Sequence, residues 1–433
     1  MPDKPRTDRA ESEESRRSAE GSGQRADSAT ASLQPSAPSP QHALATRIQE
    51  RLQAIREGRL ERSLQPPSGI DFSSNDYLGL STHPRVVQAM IDAIEREGVG
   101  STGSRLLRGE RQAFADIERR FAAFKGAERA LYFSSGYLAN LAVLTTFVEG
   151  GDVIHSDSRN HASLIDAGRL SSAKRIVFPH KDAGALAQLL SRPPSSGHTF
   201  VVTESLFSMD GDVPPLAEYD DLCRQHGATL IVDEAHAVGI YGTRGSGLLE
   251  EYGIEHGNCL SINTAGKALG VSGAFVAGPA WAIDYLIQRA RPFIFTTAAP
   301  PAVAAAIGAS LDVIAAEPER RSRLLDRVKR LRAMMAASGL PVPAFFSQIV
   351  PLVVGENERA LDTAAALQAQ GFDVRAIRPP SVAPGSARLR ISVNVTLTDD
   401  AIDSFVRALA AVVGVGAIGG ISPGSLSWSA ASS

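Results

Sequence analysis

The feature that most constrains the fold is an alternation. From Ala130 to Ala277, short apolar runs alternate with stretches of helical periodicity. Ala130–Phe133, Asp152–His155, Arg175–Phe178, Thr199–Thr203, Thr229–Val232, Cys259–Ile262 and Ala274–Ala277 read as strands. Tyr137–Phe147, Ala183–Leu190 and Leu216–His226 read as helices, and another begins near His161. Strand and helix in turn are the mark of a parallel sheet covered on both faces. Ligands of such sheets bind beyond the carboxyl ends of the strands. Ser135, His161, Ser208, Asp233, His236 and Lys267 lie at or soon after such ends. Six residues scattered in sequence are therefore expected to converge on one pocket.

The 433 residues exceed one small core, so two or three folded units are expected. Residues 1–43 are rich in Ser, Arg, Glu, Ala and Pro and hold too little apolar surface to offset ordering entropy; they are expected to be disordered. Residues 44–84 form an N-terminal arm, with a helix over His42–Leu64 that lines up Leu44, Ile48, Leu52, Ile55 and Leu60. Residues 85–300 form the large domain, which opens with helices Pro84–Glu97 and Gln112–Phe124 around a glycine-rich loop, Gly98–Glu110. That loop reads equally as backbone approaching a ligand and as flexible surface. Residues 301–418 begin with helices and turn into strand-helix-strand-strand-helix, a small α+β domain, and 419–433 read as a loose tail. A net charge of −3 provides no global field for nucleic acid or membrane, and no apolar run approaches a membrane span. Two cysteines indicate no disulfide framework, and with no signal-peptide core at the N-terminus a cytoplasmic location is expected.

The chemistry centres on Lys267 in SINTAGKALG, Ser261–Gly270. A lysine held among small residues just after a buried strand is placed to form a Schiff base, because desolvation lowers an amine's pKa and frees its lone pair. On that stretch alone a solvated loop lysine explains the pattern as well. If Lys267 carries an aldehyde cofactor, the site also needs an acid for a pyridine nitrogen, a phosphate cradle and a flat group over the ring. Asp233 ends the run Leu230–Val232, where an unpaired acid is costly. Ser135, Gly136 and the Tyr137 N–H suit a phosphate at a helix start. His161 suits stacking, or a plain helix cap. His236 suits a phenolic oxygen, or a loop. Thr264 suits phosphate, or packing.

At this point NDYLG, GSTGSR, SSGYLAN, NHASLIDAGR, TESLFSMDGD, VDEAHAVGIYG, NTAGKALG, RPFIFTTAAPP and IRPPSVAPGSARLR occur in an order that resembles the α-oxoamine synthases. These are fold-type I pyridoxal 5'-phosphate enzymes: an α/β fold with a mostly parallel central sheet, helices on both faces and a small C-terminal α+β domain. The resemblance runs from about Leu44 to Val413. It implies that Lys267 binds the cofactor and removes an α-proton, that Asp233 faces the pyridine nitrogen and that His161 stacks on the ring. It implies phenolic-oxygen contacts from Ser208 and His236, and phosphate contacts from Ser135, Gly136, Tyr137 and Thr264. Thr296 and Thr297 match positions that reach phosphate from a neighbouring subunit, which implies a homodimer with shared sites. Arg390 matches the arginine that pairs with a substrate carboxylate, a task suited to a bidentate fork. Ser381 and Asn75 match substrate contacts, as does an N-terminal arginine, Arg62 or Arg59. SSNDYLGL, GKALGVSGAFVAG and IRPPSVAPGSARLR carry a finer likeness, to the member that joins L-alanine to pimeloyl-CoA or a pimeloyl-carrier protein in biotin synthesis. Members that join glycine to acetyl-CoA, or serine to a palmitoyl thioester, are the alternatives within the family. A catalytically silent scaffold is the alternative outside it, against which Lys267, Asp233 and His161 together argue. Between Leu64 and Ile70 the chain has QPPSG where relatives carry a short hairpin. No metal site is indicated, and no GxGxxG follows an early strand, as a nicotinamide-binding fold would require.

Overall fold

The computed structural model describes residues 40–414; the extension expected to be disordered up to residue 39 and the tail from 415 lie outside the described residues. Two units meet at Gly58. The described part of the first is one helix, α1 (Pro40–Glu57). It starts before the expected His42 and stops short of Leu64, because Gly58 closes the last turn onto the Ala54 carbonyl and Arg59 turns to a positive φ. Leu60 therefore leaves the expected stripe, while Leu44, Ile48, Leu52 and Ile55 remain on one exposed face.

The second unit opens with β1 (Ile70–Asp71), α2 (Pro84–Glu97) and α3 (Gln112–Lys125). The alternating region follows: β2 (Arg129–Phe133), α4 (Gly136–Phe147), β3 (Val153–Asp157), α5 (Ala162–Leu170), β4 (Lys174–Phe178) and α6 (Ala183–Leu190). It continues through β5 (Thr199–Glu204), α7 (Leu216–His226), β6 (Thr229–Asp233), α8 (Leu248–Glu251), β7 (Cys259–Thr264) and β8 (Ala274–Gly278). Among the described residues these strands make a seven-stranded sheet in the order β2-β8-β7-β6-β5-β3-β4. Its pairs are parallel except those of β8, which runs antiparallel to β2 and β7. The cause is the link 265–273, which holds no helix and is too short to cross over. Every residue of β5 and of β8 is buried. Such strands read as unbroken apolar runs, so the polar residues that interrupt them stand out.

Helix starts along the sheet carry side-chain caps. Ser135 Oγ accepts from Leu138 N at 3.2 Å, and Asp182 Oδ1 accepts from Ala185 N at 2.8 Å. α3 and α7 end on Gly126 and Gly227 in the left-handed conformation, where a Cβ would be strained.

Then come α9 (Ala280–Arg289), α10 (Arg291–Ile294), α11 (Pro301–Ala316) and α12 (Glu319–Ala337). The C-terminal part holds β9 (Ile349–Gly355), α13 (Asn357–Gln368), β10 (Phe372–Asp373), β11 (Ala376–Ile377), β12 (Ala387–Ser392) and α14 (Asp399–Val413). β11, β12 and β9 form an antiparallel sheet, and β1 pairs in parallel with β10. The segment after β1 is fastened to the same region. Phe72 stacks on Phe405 of α14 at 3.9 Å, Ser392 N donates to the Phe72 carbonyl at 2.8 Å, and Val395 N donates to the Tyr77 carbonyl at 3.0 Å. Burying two such rings stabilises the join by roughly 1.5–3 kcal/mol each. This brings NDYLG and β12 together. No single helix among the described residues is long and apolar enough to cross a membrane.

Candidate active site

Lys267 sits in the hairpin link between β7 and β8, anchored by the buried Ala265, Ala268 and Leu269. The link is closed by Ala265 N to the Gly273 carbonyl at 2.8 Å and Val271 N to the Ala265 carbonyl at 2.9 Å. Gly270 lets it approach the chain, since a Cβ there would lie 2.3 Å from Ser81 N at a φ of +69°. Lys267 Nζ lies 2.8 Å from His236 Nε2. Burial pulls the amine down to about 8; Asp233 and Glu204 oppose the shift and Arg390 adds to it. About a tenth of the amine is then neutral at pH 7, far more than for an ordinary lysine, and a nucleophilic amine needs that neutral form.

His236 follows β6 on the turn after Asp233. Its Nδ1 is 2.7 Å from the Tyr77 hydroxyl, and Gln348 Nε2 donates to its carbonyl at 2.7 Å. Burial, then the charges of Lys267 and Arg390, hold this imidazole well below its ordinary pKa, so it is neutral.

Tyr77 carries the network on to β12. Arg390 donates from Nη2 to the Tyr77 hydroxyl at 3.2 Å and from Nη1 to Asn75 Oδ1 at 3.1 Å and Ser392 Oγ at 2.8 Å. Its Nε donates to the Ser208 carbonyl at 2.5 Å. The guanidinium is thus buried, held by neutral acceptors, and linked through Tyr77 and His236 to Lys267. A cation held this way suits a carboxylate ligand.

Asp233 ends β6 and is buried. Its Oδ1 accepts from Ala235 N at 2.9 Å and its Oδ2 from Asn140 Nδ2 at 2.7 Å. Glu204 ends β5 directly beside it in register. Glu204 is buried with Oε1 unpartnered; burial, and then the Asp233 charge, raise its carboxyl well above the usual range. Of these adjacent acids Glu204 is therefore the one pushed toward its neutral form. His161 caps α5, with Nδ1 3.2 Å from Ser163 N and 2.7 Å from Ser163 Oγ.

Ser135 spends its hydroxyl on Leu138 N, leaving the first-turn N–H groups of Gly136 and Tyr137 without a partner inside the helix. A Cβ on Gly136 would lie 2.6 Å from Thr264 Cγ2, so Thr264 flanks that helix end, in a cradle that only glycine leaves open. A lowered amine, a buried aspartate and a helix start fit the aldehyde, the ring nitrogen and the phosphate of pyridoxal phosphate.

Other expected residues fall elsewhere. Thr296 and Thr297 follow α10 and line a small cavity with Arg105, Tyr132, Phe133 and Ser134, the residue before the Ser135 helix start; Lys267 is not among its lining residues. Ser381 is exposed, its N–H on the Arg378 carbonyl at 3.1 Å. Arg62 is exposed with Nη2 3.5 Å from the Pro379 carbonyl, and Arg59 pairs with Glu358 at 2.7 Å. Neither arginine reaches Arg390 within this chain. The loop 98–110 packs on the turn after α10, with Gly103 O accepting from Ala298 N at 2.8 Å. The Tyr137 side chain points outward to Asp166 at 2.6 Å, so only its backbone serves the helix start. The residue-type reading passed over Tyr77, Asn140, Ser163, Glu204 and Gln348. The first four stand inside the motifs named above, which was the available signal.

The aminotransferase class I and II family matches residues 67–409, and the chain belongs to that family. It is 47% identical over 354 residues to an 8-amino-7-oxononanoate synthase of Burkholderia pseudomallei, across 80% of this chain and 90% of that one. A solved structure of SPT with PLP as internal aldimine superposes with a TM-score of 0.81 at 29% identity, covering 88% of this chain and all (100%) of that one. The 8-amino-7-oxononanoate synthase of Francisella tularensis superposes with a TM-score of 0.70 at 30% identity, over 80% of this chain and 98% of that one. The expected α-oxoamine synthase of fold type I, with pyridoxal phosphate as cofactor, agrees with these likenesses.

Proposed function

We propose that the chain condenses L-alanine with a pimeloyl thioester, pimeloyl-CoA or a pimeloyl-carrier protein, to give 8-amino-7-oxononanoate, the free thiol and CO2 in biotin synthesis. The observation that carries it is the buried chain Lys267–His236–Tyr77–Arg390, which sets a lowered amine at a fixed distance from a cation suited to the amino acid's carboxylate. Bound pyridoxal phosphate supplies the electron sink that makes loss of an α-proton and of CO2 accessible. Lys267 holds the cofactor and, once freed by the incoming amine, takes the α-proton on Nζ. Asp233 keeps the pyridine nitrogen protonated. The N–H groups of Gly136 and Tyr137 and the hydroxyl of Thr264 take the phosphate, and His236 with Ser208 takes the phenolic oxygen. His161 covers the ring. Arg390, with Asn75 beside it, would bind and orient the carboxylate of the amino acid.

Thr296 and Thr297 serve the site of a second copy, making a homodimer, and Ser381 and Arg62 contact the acyl substrate. Two buried free thiols, Cys223 and Cys259, suit a reducing cytoplasm. Purified enzyme assayed with alanine, glycine and serine against pimeloyl-, acetyl- and palmitoyl-CoA tests the reading. Alanine with the pimeloyl donor should win on kcat/KM, and Lys267→Ala should abolish turnover. Preference for glycine with acetyl-CoA, or for serine with palmitoyl-CoA, would replace the reaction named here; turnover by Lys267→Ala would remove the chemistry.

A further inference from the structure

His161 has two ring nitrogens, and which one holds the proton decides what it offers a ligand. Four contacts settle the matter. Ser163 N lies 3.2 Å from His161 Nδ1, and a backbone N–H can only donate, so Nδ1 carries a lone pair. Asn140 Nδ2 lies 2.7 Å from Asp233 Oδ2 and 2.8 Å from Ser163 Oγ. A carboxylate oxygen accepts only, which orients the Asn140 amide with its NH2 toward both partners; its Oδ1 is buried without a partner. Ser163 Oγ is thereby an acceptor from Asn140, and its own proton turns to His161 Nδ1 at 2.7 Å. The string runs from Asp233 through Asn140 and Ser163 to His161; the acceptor Asp233 orients one end and the Ser163 backbone N–H the other.

We propose that Asn140 and Ser163 are positioning residues that fix His161 as the neutral tautomer with its proton on Nε2, so that His161 meets the ligand as an N–H donor and not as a base. Nδ1 faces its own helix start, so Nε2 is the nitrogen turned toward the pocket. The groups bearing on the ring are Asp233 from β6, Lys267 from the hairpin link, Asp166 from its own helix and His236 from the turn after β6, while Glu204 from β5 accepts from the His161 backbone N–H. Partial burial lowers the imidazole; Asp233 opposes that shift and Lys267 reinforces it, in keeping with a neutral ring. The proposal rests on the functional reading for what fills the pocket, but not for the tautomer.

The test is long-range proton–nitrogen NMR on cofactor-loaded, nitrogen-15 histidine-labelled enzyme, with His161→Gln to assign the signals. The native enzyme should show one His161 tautomer, Nε2–H, at neutral pH. Ser163→Ala leaves Nδ1 only the longer backbone donor, so the Nδ1–H form should appear and the imidazole pKa should rise. Ser163→Thr should restore the native pattern. The acid limb of kcat/KM should move upward with the imidazole in Ser163→Ala, with activity at neutral pH down about tenfold, the scale of roughly 1.4 kcal/mol for one lost hydrogen bond. Asn140→Leu, which unseats both Ser163 and Asp233, should reproduce the tautomer mixture. A native Nδ1–H or doubly protonated ring, or a Ser163→Ala spectrum identical to the native one, overturns the proposal whatever substrate the enzyme prefers. Failure of the alanine and pimeloyl assay with a native Nε2–H signal would overturn the reaction and leave the tautomer standing.

Discussion

Replacing Lys125 by Met tests what holds Asp233 in place. Lys125 ends α3, and its side chain is 1% exposed; that of Glu234, the residue after Asp233, is 0% exposed. Lys125 Nζ donates to Glu234 Oε2 and, at 2.5 Å, to the Ser246 carbonyl. Glu234 Oε1 accepts from Leu249 N at 3.0 Å, and Glu234 N donates to the Ile262 carbonyl at 2.7 Å. The pair thus ties α3, α8 and β7 to the end of β6. Lys125→Met leaves a buried carboxylate without its cation, which costs about 3–5 kcal/mol, whereas replacing both members of such a pair with apolar residues is often neutral. With a urea slope of about 3 kcal/mol per M, that single loss lowers the midpoint by roughly 1 M or more. Lys125→Met/Glu234→Leu should recover most of the difference. Cofactor affinity, read by fluorescence titration, should fall with the single variant and return with the double one, because the end of β6 is what shifts. A midpoint drop of less than roughly 0.3 M, about 1 kcal/mol at that slope, for Lys125→Met, or single losses that simply add in the double variant, would refute the reasoning.

Other perturbations have signs set by the same geometry. His180 lies 2.8 Å from Asp157 Oδ1 and 3.1 Å from Asp212 Oδ2; burial opposes its charge, but those two carboxylates outweigh burial and raise its pKa. Its contribution is complete below the ordinary histidine value and is lost as pH rises through the raised one, so urea midpoints followed from about pH 6 to 9 should decline in a way that His180→Gln abolishes. Gly136→Ala drives a Cβ to 2.6 Å from Thr264 Cγ2 and should weaken cofactor binding by about tenfold or more, while Gly136→Ala/Thr264→Ser removes the offending methyl and should restore it, both read by titration. Arg390→Lys keeps a charge but loses the fork that joins Ser208, Asn75 and Tyr77, and should raise the KM for alanine by roughly ten- to a hundredfold, at about 1.5–3 kcal/mol for a charged hydrogen bond, in steady-state assays.

The parts of this site that sequence could expose are those that break a rule. An acid that ends the buried run Leu230–Val232, a lysine among small residues after β7 and a Ser-Gly helix start are each improbable unless something uses them. Together with the strand-helix alternation they single out Asp233, Lys267 and Gly136 in the sequence. Tyr77, Asn140, Ser163 and Gln348 break no rule. They are neutral residues of types common in any core, and they matter only for partners far along the chain: Tyr77 and Arg390 are 313 residues apart, and Asn140 and Asp233 are 93 apart. The antiparallel β8 was hidden for a related reason, since an apolar run looks the same in either direction and only the short link before it decides. Thr296, Thr297, Ser381 and the choice between Arg59 and Arg62 form a third class. These residues lie at the surface or beside a small cavity, and the partners they have within the chain, such as Glu358 for Arg59 and the Pro379 carbonyl for Arg62, fix no role in the site. Charge and backbone constraint are therefore what a sequence reveals about such a site. The neutral hydrogen bonds that choose tautomers and hold charges in place become visible only when the fold brings their ends together.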